Sequence, residues 1–402
     1  MSASQAALRT SVLVMAVAFP HHAAQQNDRT RCPAEPPGGR VPNQAGNAVA
    51  ESQNIVAETA ERIFADLADA QTINRDSKAG WKAPLWQALT EAGLPLSWVP
   101  EDFGGSGASL AEGFGVLSVA GRFAIAVPLA ETMLAGWLLS QAGIASPEGE
   151  MAVAPASPKD RIALNSDGSL SGRARGVAFA GDARHFAVLA HGAGGISIAL
   201  VDAAACRIEA GLNLASDRSD SVTFNNARPV ALKPAPKGFD QTSLMLMGAV
   251  ARSLQIAGAL ESMLDVSVRY SNERVAFEKK ISKFQAVQHN LARLAGETAA
   301  AMAAASSAAD SIAHANDFDD AVFLEATAAK IRCAEAAEKG AAIAHQVHGA
   351  IGYTLEHILH RYTMRALAWR DDFGNESYWA VELGRRIAAR GADELWPLVA
   401  SR

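Results

Sequence analysis

Residues 345–378 read HQVHGAIGYTLEHILHRYTMRALAWRDDFGNESY. The stretch holds two glycines at a bend, with a Gln and a His beside them. A dense set of Arg and aromatic residues follows, and a second glycine turn stands at Phe373-Gly374-Asn375. A purely structural helix has little use for that mixture. Ala-rich helical sequence precedes it and an amphipathic run follows, so the rest of the chain reads as a scaffold presenting this segment.

Working outward, the 402 residues with 49% hydrophobic content are enough for two or three domains with real cores. Aromatics make up only 6%, which favours a protein with much helix. The net charge of -6 and the lack of a basic domain argue against a nucleic-acid partner. Cys32, Cys206 and Cys333 lie far apart with no C-x-x-C pair. No disulfide framework or structural zinc is expected, and a cytoplasmic setting fits. No apolar run reaches membrane-span length, so no membrane association is expected.

Residues 1–50 are rich in Pro, Gly, Gln and Asn and read as a disordered extension. The short apolar run Ser11–Phe19 after Arg9 also fits a secretory signal. We prefer the extension, since nothing downstream looks extracellular. Residues 51–145 read as an N-terminal helical domain. Ile55, Ile63, Phe64 and Leu67 recur at helical spacing, Gly93 stops a short helix, and Ser109 with Glu112 forms a capping-box pattern. Pro128 opens a further helix.

Over 146–235 the pattern becomes β. Ile162–Asn165 and Leu170–Arg173 flank Asp167-Gly168, a hairpin signal. Phe186–Ala190, Ile196–Val201 and Val222–Phe224 read as further strands. An antiparallel β-barrel is expected there. From Asp240, a good N-cap, helix resumes and hardly stops, so 236–402 reads as a four-helix bundle. Ser282 with Gln285 reads as another capping box.

Three stretches carry a family likeness: GLPLSWVPEDFGGSG, RYSNERVAFEKKISKFQAVQHNLARLAGE and QVHGAIGYTLEHILHRYTMR. They resemble acyl-CoA dehydrogenases from about Glu51 to Arg390, most strongly in the C-terminal bundle. The resemblance implies a mainly α fold with a central β-domain, and FAD as cofactor. It also implies an acyl-CoA substrate in fatty-acid or steroid side-chain β-oxidation, electron-transfer flavoprotein as acceptor, and a dimer or tetramer. In such enzymes a carboxylate removes the α-proton of the thioester while hydride passes from the β-carbon to the flavin.

Residue by residue, Arg274, Phe277 and Gln285 match a motif that reaches a neighbouring subunit's FAD, with Glu278 where glycine is usual. A guanidinium suits a pyrophosphate. On spacing alone the same residues fit a surface ion pair, a core ring and the partner of Ser282. Gln346, His348, Gly349, Ala350 and Gly352 match the segment along the adenosine side of FAD, where small residues permit close backbone approach. As bare residues, Gly349 and Gly352 also fit a simple helix break. Asn375 falls at the last-helix N-terminus, as cap or cofactor contact.

The departures are as telling. The position of the family's catalytic Glu is Phe373, and the alternative base position on the first long helix of the bundle is Gly248. Neither can take a proton. Asp372 and Glu376 flank the first position and are the candidate substitutes, although such residues often only cap helices. The polar flavin-ring stretch of the β-domain corresponds to Met151–Pro155, where only the proline remains.

The resemblance therefore implies a chain that keeps what a neighbour's FAD needs and lacks its own base. This is the pattern of the degenerate subunit in heteromeric bacterial acyl-CoA dehydrogenases. A self-sufficient homo-oligomer using Asp372 or Glu376, and a non-catalytic scaffold subunit, are the alternatives.

Overall fold

Side-chain caps at Ser109, Asp240, Asp319 and Asn375 set where four of the described helices begin. In the computed structural model, residues 44–76, 79–391, 393 and 395–400 are described. The helices α1 (Gln44–Leu67), α2 (Ala70–Arg75), α3 (Lys82–Glu91), α4 (Leu110–Arg122) and α5 (Leu129–Gln141) come first. Most of the expected extension, and Cys32, lie outside the described residues; α1 takes in residues 44–50. The capping box at α4 forms as read: Glu112 N donates to Ser109 Oγ, and Ser109 N donates to Glu112 Oε2 at 2.8 Å. The helix α5 is buried from Leu129 to Leu139, apolar on nearly every face.

Eight strands follow: β1 (Met151–Ala154), β2 (Ile162–Leu164), β3 (Leu170–Ala178), β4 (His185–Gly192), β5 (Gly195–Asp202), β6 (Arg207–Glu209), β7 (Ser219–Ala227) and β8 (Ala231–Pro234). The Asp167-Gly168 hairpin forms, pairing Ile162 with Gly172 and Leu164 with Leu170. The expected antiparallel barrel does not. The strand order is β6-β7-β3-β2-β4-β5-β8, with β1 beside β4. Both β1 and β2 run parallel to β4, because the link between them carries the chain onward along one edge rather than back. The path ends at β6 and β8 without a closing pair, so the sheet is open and mixed.

The bundle comprises α6 (Gln241–Glu273), a short hairpin of β9 (Val275–Ala276) and β10 (Lys279–Lys280), α7 (Gln285–His314), α8 (Asp320–His348), α9 (Leu359–Trp369), α10 (Glu376–Arg390) and α11 (Leu395–Ala400). Three long helices, α6 to α8, pack together, with the shorter α9 and α10 on the remaining side. Asp240 caps α6 by accepting from Ser243 N at 3.0 Å, as its position predicts. Ser282 does not cap α7. It lies in a 3-10 turn, Phe284 is the N-cap, and no side chain caps that end. The cause is the hairpin, whose last bond, Ile281 N to Arg274 O at 2.9 Å, delays the helix.

Among the described helices, α6 is long and apolar enough to span a membrane, but that window is wholly buried inside the protein. It packs closely on α4: a Cβ on Gly258 would lie 2.3 Å from Ser118 O, and one on Gly121 would lie 2.2 Å from Gln255 O. Glycine at both positions lets the two backbones touch.

Candidate functional site

The turn between α9 and α10 is held from both sides. Phe373 N donates to Ala156 O at 3.1 Å, and Trp379 Nε1 donates to Phe373 O at 3.0 Å. Phe373 and Gly374 both take left-handed backbone, at φ 55° and 91°. Asn375 then caps α10 by accepting from Tyr378 N at 2.9 Å. So placed, the Phe373 ring is 4% exposed and lies against α6 at Gly248. A Cβ built on Gly248 would sit 2.3 Å from Phe373 Cδ1 and Cγ. The two positions singled out for a base therefore meet at one point, and a phenyl ring fills it. The hollow left beside Glu131, Val153, Ala156, Val177 and Arg252 measures about 10 Å³, scarcely room for one water molecule.

Behind the ring lies a buried charge network. Arg252, 2% exposed, donates Nε to Asp372 Oδ2 at 2.9 Å, Nη2 to Glu131 Oε1 at 2.6 Å and Nη1 to Gln255 Oε1 at 2.6 Å. Its guanidinium lies 6.0 Å from the centre of the Phe373 ring. Lys330, fully buried, donates to Trp369 O at 2.7 Å. Burial lowers the Lys330 pKa to about 8, against the pull of Asp372. Burial raises the carboxyls of Glu131 and Asp372, with Arg252 opposing the rise. Two buried cations thus balance buried Glu131 and half-buried Asp372.

Asp372 is committed to Arg252. Glu376 stands at the first turn of α10, with Oε2 3.8 Å from Arg370 Nε and no hydrogen-bond partner. Arg252, Glu131, Gln255 and Lys330 were not singled out from sequence. The available signal was a charge inside an apolar run, as at Glu131 between Pro128 and Leu139.

The remaining candidates gather at the far end of α6. Arg274 is its C-cap and is exposed, and no ion pair involves it among the described residues. Phe277 and Glu278 form the hairpin tip, both left-handed, with Phe277 89% exposed and edge-on to Phe284 at 6.2 Å. Gln285 is exposed at the first position of α7. At the end of α8, Gln346 and Ala350 are exposed, and Gly349 has φ 68° with open space where a Cβ would stand. Gly352 is buried against His348 and Leu359.

Tyr270 joins the two groups. Its ring stacks on His348 at 4.4 Å, its hydroxyl donates to His348 O at 3.3 Å, and its carbonyl accepts from Arg274 N at 2.8 Å. His348 is 4% exposed, and its Nε2 is buried with no hydrogen-bond partner. Asn375 does not join this group: it sits with Phe373 and Gly248, and Gly248 and Arg274 are about 39 Å apart along α6 at 1.5 Å per residue.

Four histidines cluster at that far end, with His348 and His357 4.7 Å apart. Burial lowers the His348 pKa to about 4 and holds His345, His357 and His360 below the ordinary value. An unfolded histidine titrates near 6.5, so between about pH 4 and 6.5 the unfolded chain binds more protons. Stability is then full above pH ~6.5 and is lost as the pH falls toward about 4. Thermal melts from pH 7.5 to 4.5 test this. His348→Gln should flatten the fall, and an unchanged slope would count against the cluster.

A helical layer, an open mixed sheet and a bundle whose α9–α10 turn faces the longest helix make up the same fold as solved acyl-CoA dehydrogenases. Residues 237–380 match the family model described as acyl-CoA dehydrogenase, C-terminal domain. The chain is 26% identical to acyl-CoA dehydrogenase IpdE2 of Mycobacterium tuberculosis (strain ATCC 25618 / H37Rv) over 349 residues, 86% of this chain and 98% of that protein. A Tcur3481-Tcur3483 steroid ACAD variant superposes with a TM-score of 0.75 at 25% identity, covering 85% of this chain and 99% of that one. The ChsE4-ChsE5 complex of Mycobacterium tuberculosis shares the fold, with a TM-score of 0.74 at 23% identity over 84% and 97% of the two chains. Residues 237–380 thus carry the acyl-CoA dehydrogenase C-terminal domain, and over most of its length the chain resembles acyl-CoA dehydrogenases.

Proposed function

We propose that this chain is the degenerate subunit of a heteromeric acyl-CoA dehydrogenase, holding FAD for a catalytic partner that supplies the base. The carrying observation is the Phe373 ring seated on Gly248, which occupies the point where either base would act. A second chain with an intact carboxylate would then do the proton chemistry. The named likeness to a steroid ACAD points to a steroid-acyl or fatty-acyl thioester as substrate, with electron-transfer flavoprotein as the acceptor.

The residues at the far end of α6 fit a dinucleotide. Arg274 offers an unpaired guanidinium for a pyrophosphate. Gly349 leaves open space for close approach, and the orphaned Nε2 of His348 is a buried polar atom in want of a partner. Gln285 and Gln346 present exposed amides on the same end. When bound, FAD accepts the hydride lost from the substrate's β-carbon. The slot beside Phe373 does not fit a flavin ring, being apolar along β1 and nearly filled. The two regions are about 39 Å apart, too far for one cofactor molecule to touch both, which supports service to a neighbour.

One observation favours the self-sufficient alternative: Glu376 keeps a buried carboxylate oxygen with no hydrogen bond. The flavin spectrum of the pure chain separates the readings. Colourless protein that turns yellow on co-expression with an acyl-CoA dehydrogenase-like partner supports the proposal. A yellow chain that dehydrogenates acyl-CoA alone overturns it, and flavin absent from every pairing leaves only a scaffold. In the mixed complex, Arg274→Ala should lower flavin occupancy several-fold; unchanged occupancy would remove Arg274 from the cofactor site.

A further inference from the structure

Along α3, Lys82, Ala83, Trp86, Gln87, Thr90 and Glu91 form one stripe at helical spacing. The stripe is one wall of two adjoining clefts, of about 310 Å³ and about 490 Å³, which share Trp86, Gln87 and Glu150. From Lys82 to Glu91 the helix rises about 13 Å, the length of about four residues of extended peptide. Gly93, Gly104 and Gly105 line part of the larger cleft with backbone, and the half-buried Trp86 and Leu96 add apolar lining.

Charge is uneven along this groove. Arg184 is paired with Glu150 at 3.3 Å, which cancels both. Among the described residues, Glu91 accepts only the neutral amide of Gln87, at 2.8 Å. Glu148 is exposed, and no ion pair involves it among the described residues. The larger cleft therefore carries two uncompensated carboxylates beside an indole. Such a setting favours a cationic side chain, which gains from the carboxylates and from the aromatic face together.

We propose that this groove docks an extended segment of a protein partner, with an Arg or Lys seated between Glu91 and Glu148 and an aliphatic neighbour on Trp86. It lies outside both the Phe373 turn and the Arg274 end, so it serves a partner contact apart from the cofactor.

The test uses the full isotope-labelled chain, following the Trp86 indole N–H, assigned with Trp86→Phe. The probes are the N-acetylated, C-amidated tetrapeptides Leu-Val-Ala-Arg and Leu-Val-Ala-Glu. A saturable shift with the arginine peptide, absent with the glutamate peptide, is expected. Glu148→Lys, a change at an exposed side chain, should weaken that binding about tenfold. The proposal is overturned by an absent or equal response to the two peptides, or by binding that Glu148→Lys leaves unchanged. Free argininamide binding as well as the tetrapeptide would also overturn it, by reducing the groove to a small-cation site.

Discussion

Replacing Arg252 with methionine is expected to cost about 3–5 kcal/mol of stability, the usual result of stripping one partner from a buried ion network. The change would leave Glu131 and Asp372 in the core without the guanidinium that now meets both. Burial already raises both carboxyls, and without Arg252 they should rise further. Their folded values would then lie above their unfolded ones, so the variant should regain stability as the pH falls and lose it as the pH rises. Urea denaturation at pH 7 and pH 5.5 measures this. A loss under about 1 kcal/mol at pH 7, or a deficit that does not shrink in acid, would mean that the network is not a structural pin.

The second large effect concerns the ring itself. Phe373→Ala should cost about 3–5 kcal/mol, the range for emptying a buried aromatic site. Gly248→Ala alone should cost about 1–3 kcal/mol by overpacking, even though alanine is the better helix former by about 1 kcal/mol. The informative variant is the double one. Because the three atoms nearest the added methyl all belong to the ring, Gly248→Ala should be harmless or stabilising once Phe373 is alanine. Additive losses in a double-mutant cycle would show that the ring and the glycine are not in contact in solution.

What was legible in the sequence was local. Asp240 and Ser109 were readable as caps because their partners lie three residues away. The Asp167-Gly168 hairpin was readable for the same reason. The failures were non-local. Ser282 has the spacing of a capping box, but a bond from Ile281 back to Arg274 holds the chain off the helix. Sheet closure depends on which edges meet, and nothing in β6 or β8 alone says that they do not. The Arg252–Glu131 contact joins residues 121 apart, and no local pattern encodes it. Phe373 and Gly248 were each notable from sequence. Their meeting in one place was not, and it is that meeting which gives the two substitutions a single meaning.

The length of α6 has a consequence for counting. With the ring-filled turn near one end and the Arg274 group about 39 Å away at the other, each chain of this kind would, on the proposed reading, offer one cofactor-facing end and no slot of its own. A one-to-one assembly with an intact subunit would therefore carry one flavin for every two chains, held where the two kinds of subunit abut. Two chains of this kind facing each other would yield no complete seat. On that arithmetic the visible absorbance per milligram is itself a record of how the assembly is paired.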